Sequence, residues 1–237
     1  MMREVAILMA AGLGTRMRPL TEKMPKPLVK VFGTPMIETV IDGLLQRKVE
    51  EIYIVTGYLG EQFGYLTEKY PQVRLVENPD YLVKNNISSM YAAREALERG
   101  NCFICESDLY VADKSIFSRS LEKSCYYGRF QEGYSSDWVF EMNNGRITRV
   151  GKEGTDCYNM VGVAYFKQAE AAILKKRIEE AYAKEECSDM FWDDVVNQHL
   201  DELVLEIEPV VAGQLVEIDT VEELISIDES AGITNAY

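Results

Sequence analysis

Two short acidic segments, Glu106-Ser-Asp108 and Glu217-Ile-Asp219, have the same spacing, and each follows an apolar run. Alternate side chains of a strand point to the same side, so each segment would present two carboxylates together. Carboxylate oxygens are ligands that Mg²⁺ prefers, and this ion promotes reactions at phosphate groups. The repeated spacing therefore favours a magnesium site, with helix capping before Thr220 as the alternative role for Asp219.

A glycine-rich, cationic segment follows the apolar run Val5–Ala10. It consists of Ala10-Ala-Gly-Leu-Gly-Thr-Arg-Met-Arg-Pro-Leu20 and, shortly afterwards, Met24-Pro-Lys-Pro-Leu28. A glycine turn after a buried strand lets backbone N–H groups approach a phosphate. The prolines on either side of Lys26 restrict its backbone, so its ammonium group can point to a fixed position. We therefore predict phosphate binding here, in preference to a solvated basic loop.

Two familiar nucleotide-binding motifs do not fit this segment. A dinucleotide fingerprint requires a third glycine where the chain has Met17, and Pro19 interrupts the helix that should follow. The Walker A pattern G-x-x-x-x-G-K-[ST] is absent from the sequence. A dinucleotide-dependent oxidoreductase is therefore nearly excluded.

The overall composition narrows the function classes further. The 237 residues are 47% hydrophobic and carry a net charge of -14, which argues against nucleic-acid binding. The first 48 residues nevertheless carry eight Lys/Arg and four Asp/Glu. This local excess of positive charge would attract a small anionic ligand. No apolar run approaches the roughly 20 residues that span a bilayer, and the first one lacks a signal-peptide cleavage site. We expect a cytoplasmic protein without membrane insertion.

The sequence gives little indication of catalysis by a cysteine or serine nucleophile. The five cysteines are an odd number and do not indicate a disulfide framework. His199 is the one histidine, and no G-x-S-x-G motif accompanies it, which makes a Ser-His-Asp arrangement unfavoured.

Strand-like and helical patterns alternate over the first 122 residues. The predicted strands are Val5–Ala10, Ile52–Thr56, Val73–Glu77 and Cys102–Cys105, and the predicted helices are Met36–Lys48, Glu61–Tyr70 and Ser88–Arg99. This alternation predicts an α/β fold with a Rossmann-like, mostly parallel central sheet and helices on both faces.

An antiparallel region is predicted to follow. Its strands are Ser124–Gln131, Asp137–Glu141 and Arg146–Gly151, with a hairpin turn at Asn143-Asn-Gly145. The last elements are strands Val161–Phe166, Val204–Ile207 and Leu215–Ile218 and helices at Gln168–Lys184, at Asp189–Leu200 and from Thr220. We predict one domain over residues 1–237, to which this small antiparallel β region is appended.

The segments Gly12–Thr21, Pro25–Leu28 and Gly33–Glu38 closely resemble the nucleotidyltransferases that activate phosphorylated metabolites with a nucleoside triphosphate. Four later segments resemble the bacterial CTP:phosphocholine cytidylyltransferases, and the resemblance extends over the whole chain. They are Gly57–Phe63, Asn85–Ser89, Ser136–Trp138 and Met190–Asp194. The resemblance implies a GT-A-like nucleotidyltransferase domain with a nucleotide-binding half at about 1–122 and an acceptor-binding half at about 123–237.

Site residues follow from the same resemblance. It assigns catalytic roles to Arg16 and Lys26, which would hold phosphates, and it assigns the cofactor Mg²⁺ to Asp108 and Asp219. The family often has Asp where this chain has Glu106, which leaves a metal role for Glu106 open. The implied nucleotide-binding residues are Ala11, Gly12, Gly14, Thr15, Asn86 and Ser89.

Choline would be recognised by aromatic rings and nearby carboxylates, because its quaternary ammonium group cannot donate N–H hydrogen bonds. Both tryptophans adjoin acids, in Asp137-Trp138 and in Phe191-Trp192-Asp193-Asp194. The predicted acceptor-binding residues are Asp137, Trp138, Tyr158, Trp192 and Asp194, with Tyr134 as a further candidate. Burial of the tryptophans in the core is the alternative interpretation.

The resemblance implies transfer of CMP from CTP to phosphocholine, which gives CDP-choline and pyrophosphate. A phosphomonoester is largely dianionic at neutral pH, so it can attack the α-phosphorus in line, without a covalent intermediate. Phosphoethanolamine, 2-aminoethylphosphonate and sugar 1-phosphates remain alternative acceptors. A catalytically silent nucleotide sensor is the non-enzymatic alternative, and the presence of Lys26, Asp108 and Asp219 together weighs against it.

Overall fold

The computed structural model describes residues 2–231, which contain eleven strands and six α-helices. The strands are β1 (Glu4–Ala10), β2 (Lys30–Val31), β3 (Thr34–Pro35), β4 (Glu51–Thr56), β5 (Val73–Glu77), β6 (Asn101–Glu106), β7 (Leu109–Val111), β8 (Ser124–Asn143), β9 (Arg146–Phe166), β10 (Leu205–Pro209) and β11 (Leu215–Glu217). The helices are α1 (Met36–Gln46), α2 (Gly64–Lys69), α3 (Ile87–Ala92), α4 (Gln168–Tyr182), α5 (Trp192–Gln198) and α6 (Val221–Ile227). None of these helices is long and apolar enough to cross a lipid bilayer.

Seven strands form one central sheet in the order β10-β8-β9-β6-β1-β4-β5. Strands β6, β1, β4 and β5 are parallel, β9 is antiparallel to both β6 and β8, and β10 is parallel to β8. The predicted α/β fold with a mostly parallel sheet is confirmed. The antiparallel strands that follow residue 123 extend this sheet through the β9–β6 pairing, and do not form an appended region.

Both faces of the sheet are covered. In β1, Ala6 and Leu8 belong to the core cluster that includes α1, whereas Val5 and Ile7 belong to the cluster that includes α4 and α5. A strand buried on both faces needs apolar side chains at every position, which explains its unbroken apolar sequence.

The largest difference from the sequence-based elements is the length of β8 and β9. These strands form one hairpin of about twice the predicted strand length, closed by the predicted turn at residues 143–145. The expected breaks lay in stretches rich in Gly, Ser and charged residues, where cross-strand pairing with several register shifts carries both strands through.

A small antiparallel sheet brings the two acidic segments together. Glu217 of β11 pairs with Leu109 of β7, and Leu215 pairs with Val111. Since β7 begins directly after Asp108, this pairing places the late acidic segment beside the end of β6.

Candidate active site

A cavity of about 270 Å³ lies where the carboxyl ends of β1 and β6 meet the glycine-rich loop. Its wall consists of Met9, Ala10, Gly12, Gly14, Thr15, Arg16, Lys26, Pro27, Ser107, Asp108 and Asp219. The carboxyl edge of a parallel sheet is where ligands bind in open α/β folds. The structure therefore brings together the predicted glycines, Thr15, both predicted catalytic cations and both predicted metal ligands.

The glycine loop is packed tightly against Lys26. Gly14 adopts a left-handed backbone with φ 59°, and a Cβ there would lie 2.8 Å from the Cβ of Lys26. The Thr21 hydroxyl donates a hydrogen bond of 2.8 Å to the Gly14 carbonyl. Only glycine combines this backbone conformation with such close approach.

Lys26 joins the two predicted metal ligands. Its Nζ lies 2.7 Å from Asp108 Oδ2 and 2.6 Å from Asp219 Oδ1, and the residue is only 7% exposed. Burial by itself would lower the pKa of Lys26, but the charges and hydrogen bonds of the two aspartates outweigh burial and raise it. Arg16 adds a second cation, with Nη1 2.7 Å from Asp219 Oδ2.

Three carboxylates converge next to this ion pair. Single oxygen atoms of Glu106, Asp108 and Glu217 all lie within 4.8 Å of one another. Burial and then the negative charges of Asp108 and Glu217 raise the pKa of Glu106 well above its ordinary value. Burial and then Asp108 and Asp219 raise the pKa of Glu217 to about 7. Crowded oxygen ligands whose charges repel one another fit a hard divalent cation such as Mg²⁺.

Only one residue of the predicted ligand pair therefore belongs to this three-residue cluster. Asp108 belongs to it, as predicted, and so does Glu106, whose role the sequence left open. Asp219 instead faces Lys26 and Arg16. It does not cap α6, because the Thr220 side chain accepts the hydrogen bond from the Glu223 N–H.

A second, outer cavity of about 670 Å³ adjoins the first one, and Arg16 and Asp219 belong to both walls. On one side it is bordered by Glu106 and Glu217. It is also bordered by residues of the β8–β9 hairpin and the start of α5, namely Arg129, Asp137, Trp138, Lys152, Asn159 and Phe191.

Polar acceptors are concentrated around Asp137. The Asn159 amide Nδ2 donates a hydrogen bond of 3.3 Å to Asp137 Oδ2. The Oδ1 atom of Asn159 is buried and has no hydrogen-bond partner among the described residues. The Asp137 carboxylate is exposed in this part of the cavity wall and can accept hydrogen bonds from a ligand that brings N–H donors.

Three predicted acceptor-binding residues do not reach this cavity. Trp192 is 4% exposed and stacks on Tyr126 with ring centroids 5.7 Å apart, because α5 packs its first turn into the core. Asp194 accepts a hydrogen bond of 2.8 Å from the Phe191 N–H and so caps α5. Tyr158 packs edge-on against Phe130. The wall of this cavity therefore does not include these three residues, and the exposed Tyr134 also lies outside it.

The predicted contacts of Asn86 and Ser89 with the nucleotide are not supported either. Asn86 Oδ1 accepts a hydrogen bond of 2.9 Å from the Trp192 N–H, and Ser89 Oγ accepts one of 3.1 Å from Asn78 Nδ2. Both side chains thus connect α3 to neighbouring segments. Ala11 lies just outside the inner wall, where its carbonyl accepts a hydrogen bond from the Tyr58 N–H.

Several cavity residues escaped the sequence analysis. Phe191 and Glu217 lie in two segments that the sequence analysis had already selected, 191–194 and 217–219. The position of these two residues in the sequence could therefore have identified them as candidates. Asn159 pairs with Arg129 and Val139 across the β8–β9 hairpin, and this register could not be read from the chain.

Comparison with known proteins is consistent with this geometry. Residues 6–183 match the family model of the MobA-like NTP transferase domain, and the chain belongs to that family. More narrowly, it belongs among the cytidylyltransferases of the nucleotidyltransferase class.

Two relatives and one solved structure illustrate this membership. The chain is 54% identical to a 2-aminoethylphosphonate cytidylyltransferase of Lancefieldella rimae, over 94% of this chain and 91% of that protein. It is 35% identical to a choline-phosphate cytidylyltransferase of Streptococcus pneumoniae, over 94% and 96% of the two chains. A solved CTP:phosphocholine cytidylyltransferase from Streptococcus pneumoniae superimposes with a TM-score of 0.87 at 33% identity, covering 96% and 98% of the two chains.

Proposed function

We propose that this protein transfers CMP from CTP to 2-aminoethylphosphonate, with release of pyrophosphate. The observation that carries the choice of acceptor is the exposed Asp137 carboxylate in the wall of the outer cavity, which the Asn159 amide contacts. A primary ammonium group donates three hydrogen bonds and satisfies such acceptors, whereas a quaternary ammonium group donates none. The relative at 54% identity, which is named for a phosphonate acceptor, supports the same choice.

The inner cavity suits the triphosphate of CTP. Backbone N–H groups of the Gly12–Gly14 loop, together with Arg16 and Lys26, would neutralise phosphate oxygens and orient the α-phosphorus towards the outer cavity. Glu106, Asp108 and Glu217 would hold a Mg²⁺ ion, whose charge would stabilise negative charge at the reacting phosphate.

The acceptor then needs no general base. A phosphonate carries ionised oxygens at neutral pH, as a phosphomonoester does, and one of them forms the new P–O bond as pyrophosphate leaves. The work of the protein is to position the two substrates and to balance their charge. Arg16 lies in both cavity walls and is suited to contact both substrates.

Phosphocholine is the second candidate acceptor, which was the expectation from the sequence. Trp138 and Phe191 support it, because their ring centroids lie 5.3 Å apart in the outer cavity and offer an aromatic surface. The relatives named for choline phosphate are less similar to this chain, at 35% and 27% identity.

A grid of substrates tests the proposal directly. Pyrophosphate release is measured with Mg²⁺ for each of four nucleoside triphosphates against 2-aminoethylphosphonate, phosphoethanolamine, phosphocholine and glucose 1-phosphate. We expect the highest kcat/KM for CTP with 2-aminoethylphosphonate. A preference for phosphocholine would refute the proposed acceptor, and no turnover with any pair would favour a nucleotide sensor.

Asp137→Asn tests the role of the carboxylate in the same assay. The variant keeps the shape of the side chain but loses its charge, so KM for 2-aminoethylphosphonate should rise about tenfold, with a smaller effect on KM for CTP. Asp156→Asn, at an exposed position of the same hairpin, is the control and should leave both constants near the wild-type values. An equal effect of the two substitutions would contradict the assignment.

A further inference from the structure

A lysine of the protein itself occupies the aromatic part of the outer cavity. Lys152 Nζ lies 5.9 Å from the ring centroid of Trp138 and 5.8 Å from that of Phe191. The two rings meet edge to face at 65° and form two walls around the ammonium group. Both distances fall within the range of cation–π attraction, about 6 Å.

The backbone holds Lys152 at this place. Lys152 pairs directly with Trp138 across the β8–β9 hairpin, so the two side chains leave the sheet on the same face. Its carbonyl accepts a hydrogen bond of 3.2 Å from Arg149 Nη1, which anchors the strand next to it. No ion pair within residues 2–231 involves Lys152, so no carboxylate holds its ammonium group away from the rings.

We propose that Lys152 is a specificity-determining residue that occupies the Trp138–Phe191 pair and thereby disfavours acceptors with a quaternary ammonium group. The inference rests on the proposed function, because it takes the outer cavity as the acceptor site. A trimethylammonium group can be held only by aromatic faces and negative charge. To bind at these rings it must displace the Lys152 ammonium group, or else the two positive charges repel each other and weaken binding.

A primary ammonium group avoids this competition. It can donate hydrogen bonds to the exposed carboxylate of Asp137, which belongs to the wall of the same cavity. The two rings are then left to Lys152. The protein would thus discriminate between the two acceptor classes both by attracting one and by obstructing the other.

Lys152→Met tests this inference, because methionine keeps much of the length of the side chain and removes its charge. The readout is the ratio of kcat/KM for phosphocholine to kcat/KM for 2-aminoethylphosphonate. We expect this ratio to rise about tenfold over the wild type, whereas Lys152→Arg, which retains a cation, should change it less than about twofold. An unchanged ratio, or an equal loss for both acceptors, would overturn the proposal, and equal loss would point to a contact with the anionic end of the acceptor.

A double-mutant cycle separates the effect from a general structural change. In a Trp138→Ala background, Lys152→Met should change the ratio much less, because one of the two rings that would receive the trimethylammonium group is gone. A full effect in that background would also overturn the proposal. The wild-type substrate grid decides the proposed function independently, since the ratio can shift whichever acceptor the wild type prefers.

Discussion

Lys26 is a nearly buried cation whose charge is balanced by two carboxylates that lie far apart in the sequence. Its Nζ donates hydrogen bonds to Asp108 and Asp219, and Arg16 makes a second ion pair with Asp219. Phosphate groups of a bound nucleotide would compete with these carboxylates for the same two cations. Lys26 therefore contributes to the free protein as well as to the reaction that we propose.

Replacement of Lys26 by Met should lower kcat by about 10²–10³-fold, because an aimed charge is lost where negative charge develops. Methionine preserves the packing of the buried aliphatic stem, so the circular dichroism spectrum should remain that of the wild type. Lys23→Met, at an exposed position of the same segment, is the matched control. Near-normal turnover of Lys26→Met would contradict its role at the phosphates.

At the scale of elements, a few loops and helix starts position the site on a rigid sheet. The glycine loop after β1 places Gly14 against Lys26, and the start of α5 places Phe191 in the outer cavity. The β8–β9 hairpin contributes the remaining acceptor-side residues. The chemistry that we propose thus depends on how three connecting segments leave a common scaffold.

Gly14→Ala should impair catalysis more than stability alone explains. The new methyl group would overlap Lys26, and a left-handed backbone costs a non-glycine residue roughly 1–2 kcal/mol. Gly33→Ala is a matched control, because Gly33 also has a positive φ of 80° but has open space around its Cβ position. Both variants should lose thermal stability, Gly14→Ala more because of the overlap, and only Gly14→Ala should lose most of its turnover. Equal turnover of the two variants would argue against the close contact.

Asp193, in the first turn of α5, should make the stability of the protein depend on pH. Its carboxylate accepts a hydrogen bond of 2.9 Å from the Tyr126 hydroxyl, and burial raises its pKa to about 7. Between about pH 4 and pH 7 the folded state therefore holds a proton that the unfolded state has released. The contribution of Asp193 to the free energy of unfolding is therefore complete below about pH 4 and is lost as the pH rises from about 4 to about 7.

Asp193→Asn should remove this part of the pH dependence. Relative to the wild type, the free energy of unfolding of the variant should increase by on the order of 2–4 kcal/mol between pH 4.5 and pH 7.5. Urea unfolding at a series of pH values measures the difference, and Asp201→Asn, at an exposed position, serves as the control. Parallel pH curves for the wild type and Asp193→Asn would show that Asp193 is not the responsible group.

At the scale of the whole molecule, folding concentrates negative charge at one point. The β7–β11 pairing brings Glu217 to Glu106 and Asp108, which belong to a segment more than a hundred residues earlier. The mutual repulsion of these groups opposes folding, and the packing of both sheet faces compensates for it. A divalent cation that binds this cluster should consequently stabilise the folded state.

Millimolar MgCl₂ should raise the melting temperature by about 2–5 °C over NaCl of equal ionic strength, because the ion binds the folded state alone. In Glu217→Gln the shift should be much smaller, since one of the three ligands has lost its charge. Differential scanning calorimetry without nucleotide gives the comparison. Equal shifts in the wild type and the variant would place the ion elsewhere.

The sequence alone determined the parallel strands of the sheet, the glycine loop and the two acidic segments, because these depend on local patterns. Short runs of apolar and β-branched residues identified β1, β4, β5 and β6 to within a residue or two at each end. Glycines and prolines at close spacing identified the glycine loop, which lines the inner cavity. The carboxylates were recognised because both acidic segments repeat one spacing.

Only the tertiary structure decided which side chains face the two cavities. Trp192 and Trp138 have similar neighbours in the sequence, yet the packing of α5 buries Trp192 and the register of β8 and β9 places Trp138 beside Lys152. The same register brings Asn159 to Asp137. A one-residue change of register would turn each of these side chains to the other face of the sheet, which is why local sequence could not determine the wall of the outer cavity.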